Sequence, residues 1–230
     1  MTTGSGPSAG LGGARQLSER VANYLREAIM VGELPAGRYV RTEHLAARLG
    51  VSATPVREAL MILQSEGAVR WEPRRGFRVV PLSRRDVLDL FGLQAYVAGE
   101  LAARAALAMT EAQVAELQAT QVLLRAFAAD GDLERVGQLN HQIHRSINRA
   151  GASPRLAAML NLFVHYVPRT YYAEVDGWTT ATTEDHEAVL AALHAGDAAA
   201  ARTAMRAHIE HIGRLLADHL ARTGTLTPAD

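Results

Sequence analysis

Residues 42–76 read TEHLAARLGVSATPVREALMILQSEGAVRWEPRRG, and the reading of this stretch decides the fold. Leu45 and Leu49 fall on one face of a first helix, which breaks at Gly50, a residue that tolerates the backbone angles of a tight turn. Ser52 is placed to cap a second helix, where Pro55 is tolerated because in the first turn its missing N–H has no helical acceptor. Val56, Leu60 and Leu63 recur at the i, i+4, i+7 spacing of a buried stripe and leave Ala53, Thr54, Arg57 and Met61 facing outward. Such a small, hydroxylated and cationic face suits a DNA major groove. Arg reaches guanine O6 and N7 or a phosphate, and Thr meets a phosphate or a thymine methyl. After Glu66 and Gly67, two alternating runs, 68–72 and 77–80, flank Pro73, Arg74, Arg75 and Gly76, which predicts a β-hairpin wing with a basic tip.

Upstream, 18–31 carries Val21, Leu25, Ala28 and Ile29 on one helical face and stops at Gly32, before the loop Leu34-Pro35-Ala36-Gly37. Residues 1–14, rich in Gly, Ser, Thr and Pro, are expected to form a disordered tail. Residues 81–85 read as a linker, with Ser83 placed to cap the next helix. From there to about 225 only helices are expected. One covers 86–108, a second starts at Thr110 with Gln113 completing a capping box and ends near Gly131, and a third covers 132–150. A fourth starts at Ser153, an irregular link covers 170–178, a fifth runs from Thr182 or Thr183 to His194, and Asp197 opens a last one to about Arg222. The expected fold is mainly α: a winged helix-turn-helix over 15–80, then an antiparallel all-helical bundle over 86–225 whose many alanines allow close helix approach.

A chain of 230 residues with 48% hydrophobic content can bury two cores. No apolar run approaches ~18 residues and no signal-like segment opens the chain, so a cytoplasmic protein is expected. With no Cys there are no disulfides or thiolate metal sites, and any metal must be held by His, carboxylate or amide ligands. The formal charge is zero but unevenly spread: 15–85 holds 13 Arg against 7 Glu, and 86–230 holds 11 Arg against 17 acidic residues. That asymmetry points to a polyanion-binding first half. Every cation is Arg and none is Lys, so it is the location of the surplus, not the residue type, that carries the argument.

In the second half, Asn140 and His144 share a helix face at i, i+4, His186 sits near the start of another helix and His208 lies on the last. Three imidazoles and an amide oxygen from three helices can converge in a bundle core and leave coordination positions open. By spacing alone the blander reading, surface or hydrogen-bonded core histidines, carries more weight, because nine His give many such coincidences.

The run LAARLGVSATPVREALMILQSEGAV, with RRGFRV after it, resembles the winged helix-turn-helix of GntR-type bacterial transcription regulators, whose core reads VSRTPVREAL. The resemblance implies DNA contacts at Arg41, Ser52, Thr54, Arg57, Arg74, Arg75 and Gly76, and Ala53, where the pattern has Arg, removes one contact. LNHQIHRSINRAGASPRL and EDHEAVLAALHAGDAAAARTAMRAHIEHI are similar to the FCD effector domain of the FadR branch, with its D/N-x-x-F/I-H, EH-x-x-I/L-x-x-A-x-x-x-GD and M-x-x-H patterns. That resemblance places the metal ligands on Asn140, His144, His186 and His208 and implies a divalent ion, Zn first, then Ni or Mn. Asn140 stands where Asp is commoner and offers a neutral amide oxygen, which weakens the site.

The resemblance further implies a homodimeric regulator, a repressor by default, that binds double-stranded operator DNA with an inverted repeat and responds to a small carboxylate metabolite. Gln94, Arg169 and Tyr171 are candidate effector contacts, with Tyr172 beside them, against the equal alternative of an exposed loop with packed aromatics. Gln94 and Ala98 stand where the pattern often has Arg and Glu. Two other readings differ in class. A metal-dependent enzyme built on the helical domain with an appended DNA-binding module is disfavoured because no general base or nucleophile stands out beside the histidines. A nucleoid-type protein would need no effector.

Overall fold

The computed structural model describes residues 8–164 and 169–227, with side chains described for 16–161 and 171–227. The chain divides into two compact units, Met1–Leu82 and Ser83–Asp230.

In the first unit, α1 (Ser8–Met30) packs on α3 (Ala53–Ser65). Val21, Ala22 and Leu25 of α1 meet Val56, Ala59, Leu60 and Leu63 of α3 in one core that also takes in Val69, Phe77 and Val79. Truncating a buried leucine such as Leu60 to alanine costs about 2–5 kcal/mol. Arg26, only 4% exposed, clamps the end of α3 by donating two hydrogen bonds to the Glu66 carboxylate, the Nε one at 2.9 Å. Losing either partner would leave a buried, uncompensated charge. α1 begins at Ser8, not at Ser18, so residues 8–14 of the expected tail are helical, and 1–7 lie outside the described residues. No proline follows Pro7 before Pro35, so nothing interrupts the ladder there, and it forms despite the low helix propensity of Gly10, Gly12 and Gly13.

α2 (Thr42–Leu49) ends at Gly50, whose φ of 66° turns the chain towards α3. Ser52 occupies the N-cap position of α3, yet its side chain makes no capping hydrogen bond. Pro55, three residues on, has no N–H to donate, which removes one of the two groups that a cap side chain accepts from. Three antiparallel strands, β1 (Tyr39–Val40), β2 (Val69–Glu72) and β3 (Gly76–Val79), form a sheet in the order β1-β3-β2. The wing is therefore a hairpin of β2 and β3 braced by a third strand that sequence periodicity does not announce, since two residues carry no period. Arg74 has φ 65° and Gly76 φ 95°, and a Cβ on Gly76 would lie 2.9 Å from the Val40 carbonyl oxygen.

The second unit consists of α4 (Arg84–Ala108), α5 (Glu111–Ala129), α6 (Leu133–Ala150), α7 (Pro154–Val164), a 3-10 turn (Arg169–Glu174), α8 (Trp178–His194) and α9 (Ala198–Arg222). Ser83 with Asp86, and Thr110 with Gln113, form capping boxes at the starts of α4 and α5. α4 packs along α9 and also meets α6, α7 and α8. Small residues permit this: a Cβ added at Gly213 of α9 would lie 2.5 Å from the Cβ of Phe91 in α4. α8 starts at Trp178, four residues before the expected Thr182, with Gly177 at φ 81° as its N-cap. Burial of Trp178, Ala181 and Thr182 outweighs the weak helix propensity of the threonines. Among the described residues no helix is long and apolar enough to cross a membrane.

Candidate DNA interface and metal centre

In the first unit, Arg41, Arg57, Arg74, Arg75 and Gly76 line one groove between α3 and the wing, with Trp71 on its wall. Arg57 projects from the face of α3 opposite the buried Val56, Leu60 and Leu63. Ser52 and Thr54 stand exposed at the start of α3, outside that groove. Tyr39, which sequence reading passed over, accepts a hydrogen bond from Arg75 at 3.1 Å and donates one to Glu72 at 2.6 Å. It thereby ties the wing tip to β1. Arg41, Arg57, Arg74 and Arg75 are solvent-exposed and outnumber the one acidic residue of the groove, Glu43, as phosphate contact requires.

In the second unit, α6, α8 and α9 bring His144, His186 and His208 together, with donor nitrogens that all lie within 4.8 Å of one another. The Nε2 atoms of His144 and His208 are 3.3 Å apart, which matches the roughly 3.3 Å edge of a tetrahedron of ligands at about 2.0 Å from a zinc ion. The hydrogen bonds set the tautomers. Gln121 donates its amide N–H to the Thr183 carbonyl oxygen at 3.0 Å, so its Oε1 faces His186 and accepts from His186 Nδ1 at 2.9 Å. His186 Nε2, buried and without a hydrogen-bond partner, then points its lone pair into the centre. His208 Nδ1 donates to the Asp185 carboxylate at 3.2 Å, which likewise turns its Nε2 lone pair inward. Asn140 Oδ1 is a second buried oxygen or nitrogen atom with no hydrogen-bond partner. Inward lone pairs plus an orphaned amide oxygen are what a divalent cation satisfies, so the residues present fit the group that the sequence implies.

Burial pulls the His144 pKa down to about 3, assisted by the neighbouring His208 and His141 rings, and burial with His208 and His144 lowers His186 well below its ordinary value. Both rings are therefore neutral near pH 7, the form that binds a metal. Desolvation works to raise Asp185, but hydrogen bonds from His208 and His211 outweigh it and leave the carboxyl below its usual range. Gln121 belongs to no ligand motif, and Asp185, which falls at the Glu of the EH pattern, was passed over because it acts through His208 and not as a ligand.

A cavity of about 530 Å³ opens beside the centre, lined in part by Gln94, Asn140, His144, Tyr172 and His208. Gln94, 5% exposed, lines the cavity from α4. Tyr171 does not line the cavity. The 3-10 turn sends neighbouring side chains to different sides, so Tyr171 packs edge-on against His219 with ring centroids 5.6 Å apart, and Tyr172 takes the cavity side. The side chain of Arg169 lies outside the described residues.

A helix-turn-helix with a basic wing, joined to a helical unit holding a histidine-lined cavity, defines a two-domain DNA-binding regulator. Residues 17–79 match the bacterial regulatory proteins of the gntR family, and 89–211 match the FCD domain. The chain belongs to the GntR family of transcription regulators, in the FadR-like branch that carries an FCD domain. It is 30% identical over 185 residues to the HTH-type transcriptional regulator McbR of Escherichia coli K12, spanning 79% of this chain and 84% of McbR. It is 28% identical over 194 residues to a probable D-xylose utilization operon transcriptional repressor of Paenarthrobacter nicotinovorans, spanning 84% of this chain and 85% of that protein. The solved structure of E. coli McbR/YncC superposes with a TM-score of 0.65 at 27% identity, covering 88% of this chain and 98% of that one. The family and these relatives are regulators of transcription, so the enzyme reading falls away.

Proposed function

We propose that this DNA-binding regulator is a cytoplasmic, homodimeric repressor of an inverted-repeat operator, released or tightened by a small carboxylate metabolite held at a divalent metal in the helical unit. The observation that carries the reading is the convergence of His144, His186 and His208 beside a cavity, with the His186 Nε2 and Asn140 Oδ1 atoms buried and unpartnered. His144, His186, His208 and Asn140 would hold the ion, and Gln121 and Asp185 would fix the ring orientations through His186 and His208. A bound divalent ion supplies a Lewis-acidic anchor for a carboxylate oxygen. Zinc fits the imidazole-rich set first, nickel or manganese next. Arg41, Ser52, Thr54, Arg57, Arg74, Arg75 and Gly76 would meet the operator, and two copies of the unit would supply the specificity that one winged helix lacks. The repressor sense draws support from the relative described as an operon repressor.

The test compares operator binding by wild type and His186→Ala while organic acids are titrated in. The wild type should change its operator affinity with one of the acids, and His186→Ala should bind the operator alone as well as wild type but respond to none. An equal response from both proteins would remove the metal from the effector site.

A further inference from the structure

Beyond the presence of a carboxylate effector, on which this inference rests, the cavity lining constrains the effector's charge. Among the described residues that line it there is no Asp or Glu. Asp185 is committed to His208 and His211 and stands outside the lining. Arg145 and Arg149, at i, i+4 on α6, both line the cavity, and neither has a carboxylate partner among the described residues. Both side chains are solvent-exposed and so open to an incoming ligand. Asn148, which also lines the cavity, has a buried Oδ1 with no hydrogen-bond partner. Asn140 adds no charge at the metal position either, so nothing in the described lining offsets a bound cation and two guanidiniums.

Arg149 is five residues beyond His144 on one helix, roughly 7–8 Å along its axis at about 1.5 Å per residue. At about 100° per residue the Arg145 and Arg149 pair sits to one side of the His144 stripe, so a second carboxylate can meet the arginines while the first stays at the histidines. We infer that the effector is a dicarboxylate, with one carboxylate at the histidine centre and the second held by Arg145 and Arg149. The cavity's 530 Å³ accommodates such a molecule with room to spare. Paired guanidiniums are suited to this because they bind a carboxylate through parallel charge-assisted hydrogen bonds.

The experiment titrates the full-length protein, supplied with zinc, with α,ω-dicarboxylates of about three to six carbons and with the monocarboxylate of each length, read by calorimetry and thermal denaturation. At least one dicarboxylate should bind roughly tenfold or more tightly than its monocarboxylate counterpart. The double variant Arg145→Ala/Arg149→Ala should lose that preference and keep the monocarboxylate affinity, with zinc content checking that it is folded. A monocarboxylate that binds as tightly as its dicarboxylate, or a preference that survives in the double variant, overturns the inference and leaves the carboxylate reading standing. Binding of none of these acids overturns both.

Discussion

The two units place their chemistry on opposite sides of their own surfaces. In Met1–Leu82 the core is apolar and the charged side chains of the candidate DNA interface face outward, Arg57 on one face of α3 and Arg74 and Arg75 on the wing tip. In Ser83–Asp230 the polar groups of interest lie inside: His186 and His208 are 1% and 2% exposed. The outward arrangement needs only a helix period and a turn, which are local. The inward one depends on three helices meeting, and residues 144, 186 and 208 are linked by no short-range pattern. An outward contact that is lost can be replaced by water, whereas an inward polar group that loses its partner is stranded.

That contrast sets the order of expected effects. In the inner unit, Asp185→Asn, or Gln121→Leu, should lower zinc affinity about 10- to 100-fold by releasing the ring that it orients, with operator affinity unchanged. Unaltered zinc affinity in both variants would reduce these residues to packing. Arg57→Ala should weaken operator binding by about 1–3 kcal/mol while helicity stays intact, as judged by fluorescence anisotropy and circular dichroism.

The pH dependence of the metal-free protein separates the units next. His144 and His186 have lowered folded-state pKa values, His144 about 3 against an ordinary 6.5. Between those limits the unfolded chain takes up protons that the folded rings refuse, so stability is full above about pH 6.5 and declines as pH falls towards about 3. Ordinary imidazoles would lose metal occupancy as pH drops below about 6.5, and burial of these rings should move that fall to lower pH. Thermal denaturation across this range should show the helical unit weakening, and His144→Gln should flatten the dependence. The smallest effect is at the wing: Arg74→Ala and Arg75→Ala should each lower affinity for every DNA sequence alike and reduce the salt slope by about one. A sequence-dependent loss would make them base readers.

Much of the first unit was legible in the sequence because Val56, Leu60, Leu63 and the Pro73–Gly76 tip are regular signals. Tyr39 and the short β1 were not, since their role comes from pairing with β3 across the fold. The failed Ser52 cap was readable in principle, from the imino nitrogen of Pro55. In the second unit the helices announced themselves by caps such as Thr110 and Asp197. The histidine set stands out only through resemblance, and the roles of Gln121, Asp185 and Arg145 follow from what lies beside them in the fold and not from any recurrence in the sequence.

The most direct test of this account is the zinc content of the wild-type protein, prepared without chelator, supplied with excess zinc, freed of unbound ion and measured by elemental analysis. The account predicts close to one zinc per chain, falling to near zero in His186→Ala. Well under one per chain in the wild type would contradict it and would mean that Asn140, in place of a carboxylate, has cost the centre its ion.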